Sequence, residues 1–252
     1  KEERKKNKIL IRIKNGNEVF ANTIRRMILE EVPTLAIEDV EIKDNSSALY
    51  DEMLALRMGL TPIKTDLSSY RFPENEAEIE ERSARCTLQI KLKASKKGYV
   101  YAEEAESADP KCNFVHDKMP IVKLLAKQKV DVTGIAVLGR GKDHAKWSPG
   151  AANFRNESLI KIGSVTNANK VMENCTDGVF ELKNGKLSVV ADKATHSNLL
   201  EYYSELDPGI SLESTGDILF SLESWGQMSC KEILQQSAAI LVDKVEEMEK
   251  LI

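Results

Sequence analysis

The stretch from Asn17 to Pro62, NEVFANTIRRMILEEVPTLAIEDVEIKDNSSALYDEMLALRMGLTP, constrains the fold most, because it sets two apolar-faced helices on either side of a strand. Asn17 is a good N-cap residue, and Phe20, Ile24, Met27, Ile28 and Val32 recur at helical spacing, which predicts an amphipathic helix. Pro33 ends it, since the residue before a proline is biased away from the α conformation. Ala36 to Ile42 has the β-branched content of a strand. Leu49, Met53, Leu56 and Leu60 mark a second helical face that Thr61 and Pro62 terminate. The whole segment reads as a docking surface.

Arg25 and Arg26 are adjacent and so project about 100° apart around the first helix, which lets one pair locally while the other reaches outward. The plain alternative is a solvated or intrachain ion pair, because most exposed pairs contribute little.

A chain of 252 residues with 42% hydrophobic content has enough material for one or two domains and a sizeable core. Its apolar runs fall short of the ~20 residues of a membrane helix, and KEERKKNK lacks a signal-peptide core, so a soluble intracellular protein is expected. A net charge of −4 and a pI near 5.6 argue against strong direct nucleic-acid binding through a broad basic surface. Lysines and arginines do cluster at Lys1 to Lys14 and at Arg140 to Lys146, but neither cluster carries a series of base-stacking aromatics.

Cys86, Cys112, Cys175 and Cys230 are dispersed with no C-x-x-C pair, so the metal reading is weak. His116, His144 and His196 stand at no recognised ligand spacing from a cysteine or acid. Gly139 to Trp147, GRGKDHAKW, matches neither phosphate-cradling glycine motif. It reads instead as a structured loop presenting Lys142, Lys146 and Trp147 to another protein. No G-x-S-x-G, H-E-x-x-H or paired-carboxylate motif appears, so no catalytic residues are assigned.

The C-terminal helix has the clearest local signal. Ser229 and Glu232 form a capping box, and Leu234, Ala238, Leu241, Val245, Met248 and Ile252 advance by alternating four and three residues, a heptad seam. Such a seam packs either on the chain's own sheet or on a partner, and the residues alone leave both open.

FANTIRRMILEEVPTLAIEDVEI and NSSALYDEMLALRMGLTPI resemble the D-type subunit family of archaeal RNA polymerase, related to the eukaryotic third-largest subunit and to the N-terminal domain of the bacterial α subunit. GRGKDHAKWSP, CTDGVFELKNGKLSVV and FSLESWGQMSCKEIL follow in the same order, so the likeness spans nearly the whole chain. It implies an α+β fold with an α-subunit-like dimerisation domain in three parts, residues 1–43, 158–165 and 209–252. A mainly-β insert domain at 44–157 and a degenerate ferredoxin-like insertion at 166–208 interrupt it. Many relatives carry cysteine clusters near Arg71 to Cys86 and after Cys175, and this chain departs from both, so an iron–sulfur cluster and zinc are expected to be lost.

The resemblance further implies a non-catalytic assembly subunit of DNA-dependent RNA polymerase. Phe20, Ile24, Met27, Ile28, Leu234, Ala238, Leu241, Val245 and Met248 would face a smaller L-like, α-related subunit. Arg25, Arg26, Arg140, Lys142, His144, Lys146 and Trp147 would dock the large catalytic subunits, and small N-like and P-like subunits are further candidate partners. A cytoplasmic location follows for an archaeal member and a nuclear one for a eukaryotic relative. The competing class is a metal- or redox-binding protein built on the ferredoxin-like segment.

Overall fold

The computed structural model describes every residue except Lys1, Glu2, Lys6, Asn75, Glu76, Ile79, Glu80, Asn184 and Ile252. Helices and strands alternate irregularly and the strands pair antiparallel in the larger of two compact units, so the chain is α+β. That unit comprises Glu3–Leu10, Asn22–Asn153 and Ser221–Ile252; the other comprises Ile11–Ala21 and Phe154–Phe220.

Asn17 opens helix α1 (Glu18–Arg26), its Oδ1 accepting from the Val19 N–H at 2.8 Å. The helix then widens into a π turn over Met27–Glu31, closed by the Val32 N–H donating to the Met27 carbonyl at 3.1 Å, and Pro33 begins the next strand. Nothing in the residue spacing signals this π turn. One extra residue in the turn advances the helix face by about 100°, so Phe20 and Ile24 no longer share a face with Ile28 and Val32. Phe20 is exposed, whereas Ile28 and Val32 are fully buried.

In the larger unit β3 (Pro33–Asn45), β4 (Thr87–Ala94), β6 (Ala105–Ser107) and β8 (Val130–Arg140) form a sheet of order β3-β8-β4-β6. The register of β3 on β8 runs from Pro33 opposite Arg140 to Asn45 opposite Val130. Central strand β8 is buried along most of its length, in keeping with its unbroken apolar run from Gly134 to Gly139. Leu88, Ile90 and Leu92 of β4 alternate into the same core, as their spacing predicts. Strands β5 (Gly98–Tyr101) and β7 (Pro120–Leu124) add a two-stranded sheet.

Helix α2 (Asp51–Gly59) covers this core, but not with the expected face. Leu54 and Met58 are fully buried, while Met53, Leu56 and Leu60 are exposed by 50%, 60% and 53%. Apolar residues stand all round this helix, so periodicity had two solutions. The entry turn chooses between them: Asn45 Nδ2 donates to the Leu49 carbonyl at 2.9 Å and to Asp51 Oδ1 at 2.8 Å, setting the phase of the first turn.

A second four-stranded sheet has the order β1-β2-β12-β9, built from β1 (Glu3–Lys5), β2 (Lys8–Ile13), β9 (Gly150–Ile162) and β12 (Ile210–Ser224). Ile218, Phe220 and Leu222 are buried on β12, as their alternation predicts. Within the smaller unit, helices α3 (Ala168–Asn174), α4 (Ala191–His196) and α5 (Leu200–Leu206) accompany the hairpin of β10 (Phe180–Lys183) and β11 (Lys186–Val189). Gly185 has φ +77°, which suits the tight turn between β10 and β11; Asn184 before it lies outside the described residues. The core there is Val171, Val179, Phe180, Leu187, Leu200, Tyr203 and Ile210.

Candidate subunit interfaces

Helix α6 (Cys230–Glu249) begins at the predicted capping box: Ser229 Oγ accepts from the Glu232 N–H at 3.2 Å, and the Ser229 N–H donates to Glu232 Oε2 at 2.8 Å. Two faces follow. Ile233 and Ser237 are fully buried, and the helix packs against the π turn. One position further round, Leu234 and Leu241 are half-buried while Ala238, Val245 and Met248 are exposed. The helix therefore uses a face adjacent to the heptad seam for its own fold and leaves much of the seam open. Ile252, the last expected seam residue, lies outside the described residues.

On the first helix, Phe20 is 52% exposed, and Ile24 and Met27 are half-buried. Ile28 is fully buried in its own unit, which corrects its expected place on a partner-facing surface; the π turn carried it inward. Arg25 donates from Nε and Nη2 to Asn22 Oδ1 at 3.1 and 3.0 Å. Arg26 makes a forked pair with Glu30 at 3.1 and 3.0 Å, the local pairing that the plain alternative anticipated.

The Gly139–Trp147 loop is tied into the larger unit from beneath. Trp147 is buried, its Nε1–H donating to the Val137 carbonyl at 3.2 Å, so the expectation of an outward-facing indole is corrected. Lys146 Nζ donates to the Ile37 carbonyl at 3.0 Å, pairs with Glu38 and lies 4.5 Å from the Trp147 ring centroid. His144 Nδ1 accepts from the Lys146 N–H at 3.1 Å. The glycines serve this packing: a Cβ on Gly139 would stand 2.2 Å from the Trp147 ring, and one on Gly141 would stand 1.9 Å from the Leu29 carbonyl oxygen. No phosphate role is needed to explain them.

Glu31, at the end of the π turn, gathers three cations. Its carboxylate lies 3.2 Å from Lys244, 3.5 Å from Lys142 and 3.7 Å from Arg140, and only 7% of the residue is exposed. Burial opposes its charge, but the Lys244 hydrogen bond and the fields of Lys142, Lys244 and Arg140 hold it below the ordinary carboxylate range. Arg140 also stacks 4.8 Å from the Phe72 centroid. Sequence inspection missed this node, since nothing local marks Glu31 as buried.

All four cysteines are free. Cys86 is buried and donates to Glu78 at 3.4 Å; Cys230 Sγ donates to the Asn7 carbonyl at 3.3 Å. Burial pushes the Cys112 thiol up to about 11. Cys175 sits beside Asp177, which accepts from Tyr203 Oη at 2.6 Å, from the Val179 N–H at 3.3 Å and from Ser197 Oγ. Among the described residues no group of three or more histidines, cysteines and acids could hold a metal ion.

The signature of the RNA polymerase Rpb3/RpoA insert domain matches residues 40–165. The DNA-directed RNA polymerase subunit Rpo3 of Methanosarcina acetivorans is 32% identical over 243 residues, 94% of this chain and 91% of that protein. Rpo3 of Archaeoglobus fulgidus is 30% identical over 252 residues, 99% of this chain and 96% of the relative. Rpo3 of Pyrococcus furiosus reaches 38% over 160 residues, 64% of this chain and 59% of its own. A match that runs almost end to end through both units and contains the insert-domain signature identifies the chain as a member of the Rpo3 family, the D-type subunits of archaeal DNA-directed RNA polymerase.

Proposed function

We propose that this polymerase subunit is a non-catalytic scaffold that pairs with a smaller, L-like α-related subunit and then carries the large catalytic subunits. The observation that carries this reading is helix α6. Its Ile233–Ser237 face supports the chain's own fold, and the adjacent seam of Leu234, Ala238, Leu241, Val245 and Met248 stays largely open. Phe20, Ile24 and Met27 on the first helix are proposed to join the pairing surface.

Arg25, Arg26, Arg140, Lys142, His144 and Lys146 are proposed to contribute to docking of the large subunits as a rigid, loop-supported basic surface. The domain limits read from the sequence are proposed together with this reading, with residues 166–208 proposed as a ferredoxin-like remnant organised around Asp177. N-like and P-like subunits are proposed as additional neighbours, and the cytoplasm as the location. No helix among the described residues is long and apolar enough to cross a membrane. Co-purification with tagged chain followed by mass spectrometry tests the assignment: an L-like subunit and the large subunits should be recovered, and Leu241→Glu should remove the former. Recovery of the L-like subunit unchanged by Leu241→Glu would refute the seam.

A further inference from the structure

The outward face of α2 ends at a pocket. Leu60, 53% exposed, Pro62, Met119 and Trp225, 44% exposed, line a cavity of about 270 Å³ within the larger unit, together with Lys146 and Gln227. Met53 and Leu56 continue the apolar surface along the helix. Gln227 is 4% exposed, and its side-chain oxygen has no hydrogen-bond partner among the described residues, although its backbone is held, the Thr65 N–H donating to the Gln227 carbonyl at 2.9 Å. A buried acceptor without a donor is costly enough that each case calls for a cause. Gln227 is a lining residue of the cavity, and the terminal torsion of a glutamine is broad enough for its amide to reorient around a bound donor.

The lining chooses the occupant. The volume falls below the roughly 300–1,000 Å³ of small-molecule sites, which suits a single protein side chain. Leucine, proline, tryptophan and the soft thioether of Met119 favour an aromatic ring. The titratable side chains on the wall are both basic: Lys146, already paired with Glu38, and His116. Among the described residues no carboxylate lines the pocket, so an incoming arginine or lysine would find no counter-charge there. We infer that this pocket receives one aromatic side chain bearing a neutral O–H or N–H, a tyrosine or tryptophan, from another polypeptide of the polymerase, which donates to Gln227. This site is separate from the α6 seam and does not rest on the pairing reading.

Polymerase assembled on full-length chain with p-benzoylphenylalanine replacing Leu60 tests it by photo-crosslinking and peptide mass spectrometry. The expected crosslink joins a different subunit at a peptide containing tyrosine or tryptophan. Replacing that residue by phenylalanine should weaken capture of the subunit at least tenfold, Gln227→Leu should do the same, and both changes together should do no more than either. Leu60→Asp, on an exposed position that does not threaten the fold, should also lower capture at least tenfold while pull-down of the L-like subunit stays at the wild-type level. A crosslink to a second copy of this chain, a crosslinked peptide without either aromatic, no crosslink, additive losses in a folded Gln227→Leu chain, or unchanged capture by Leu60→Asp overturns the inference. Failure of the wild-type chain to bind the L-like subunit would instead strike the pairing reading and leave the crosslink result standing.

Discussion

Lys244 Nζ stands 3.2 Å from Glu31 Oε1, joining the C-terminal helix to the π turn through an acid that is almost wholly buried. Arg140 and Lys142 reach the same carboxylate from the glycine-rich loop, and the Lys142 N–H donates to the Glu30 carbonyl at 3.1 Å. The two segments proposed to face different partners therefore share one anchor.

Glu31→Gln should destabilise the chain by about 1–2 kcal/mol, read as a lower urea midpoint with unchanged slope. The cations it releases are partly exposed and return to water, which keeps the loss below the ~3–5 kcal/mol of a fully buried pair. Lys244→Ala should cost less than ~1 kcal/mol, because Arg140 and Lys142 remain. Equal losses in the two variants would show that Glu31 is not the hub.

Acid should unfold the chain partly through two carboxylates. Glu31 and Asp177 both titrate below their ordinary values: burial works against each charge, and Lys244 for Glu31, or Ser197 and Tyr203 for Asp177, more than offset it. A depressed acid contributes stability that is complete above its unfolded pKa, 4.5 or 3.8 here, and is lost as pH falls through the lower folded value. Urea midpoints measured from pH 7 down to pH 2 should therefore fall most steeply below about pH 4.5. Asp177→Asn should flatten that fall; an unchanged slope would remove Asp177 from the account.

The two faces of α6 should separate by mutation. Ile233→Ala removes a fully buried side chain and should cost about 2–5 kcal/mol of the chain's own stability. Leu241→Glu should leave folding nearly intact yet abolish binding of the L-like subunit, since its charge would be desolvated in the paired seam. Thermal unfolding and pull-down read the two effects. The unpaired wild-type chain, with its apolar seam open, should self-associate in light scattering, and a monodisperse monomer at micromolar concentration would count against an obligate partner.

Arg25→Ala and Lys146→Ala should both weaken recruitment of the large subunits while leaving the small-subunit pair intact. Their effects on the free chain should differ. Arg25 contacts Asn22 on its own helix, whereas Lys146 fastens the loop to Ile37 and Glu38 and should also lower the melting temperature. Wild-type recruitment by both variants would reassign this surface.

Neither zinc nor iron should co-purify stoichiometrically, because Cys86 and Cys175 are engaged with Glu78 and Asp177 and, among the described residues, are not grouped with further ligands. Elemental analysis of protein purified without oxygen checks this. Near-unit iron with visible absorption that disappears in Cys175→Ser would reverse it.

Local chemistry alone determined the capping box at Ser229 and Glu232, the stop at Pro33, the alternation of Leu88, Ile90 and Leu92, and the turn glycine at 185. Each depends on neighbours within a few residues, where spacing and backbone preference suffice. The ordered family segments likewise carried the membership that the end-to-end relatives show. Only tertiary structure decided which face of α2 is buried, why Ile28 turns inward, why Trp147 is inside, and that Glu31 is a buried hub. A helix with apolar residues all round has no unique inner face until a sheet is laid against it. A π turn shifts a helix by one residue without a local signature. A carboxylate becomes a hub only when cations 109 to 213 positions away, counted from Glu31 to Arg140 and to Lys244, fold back onto it.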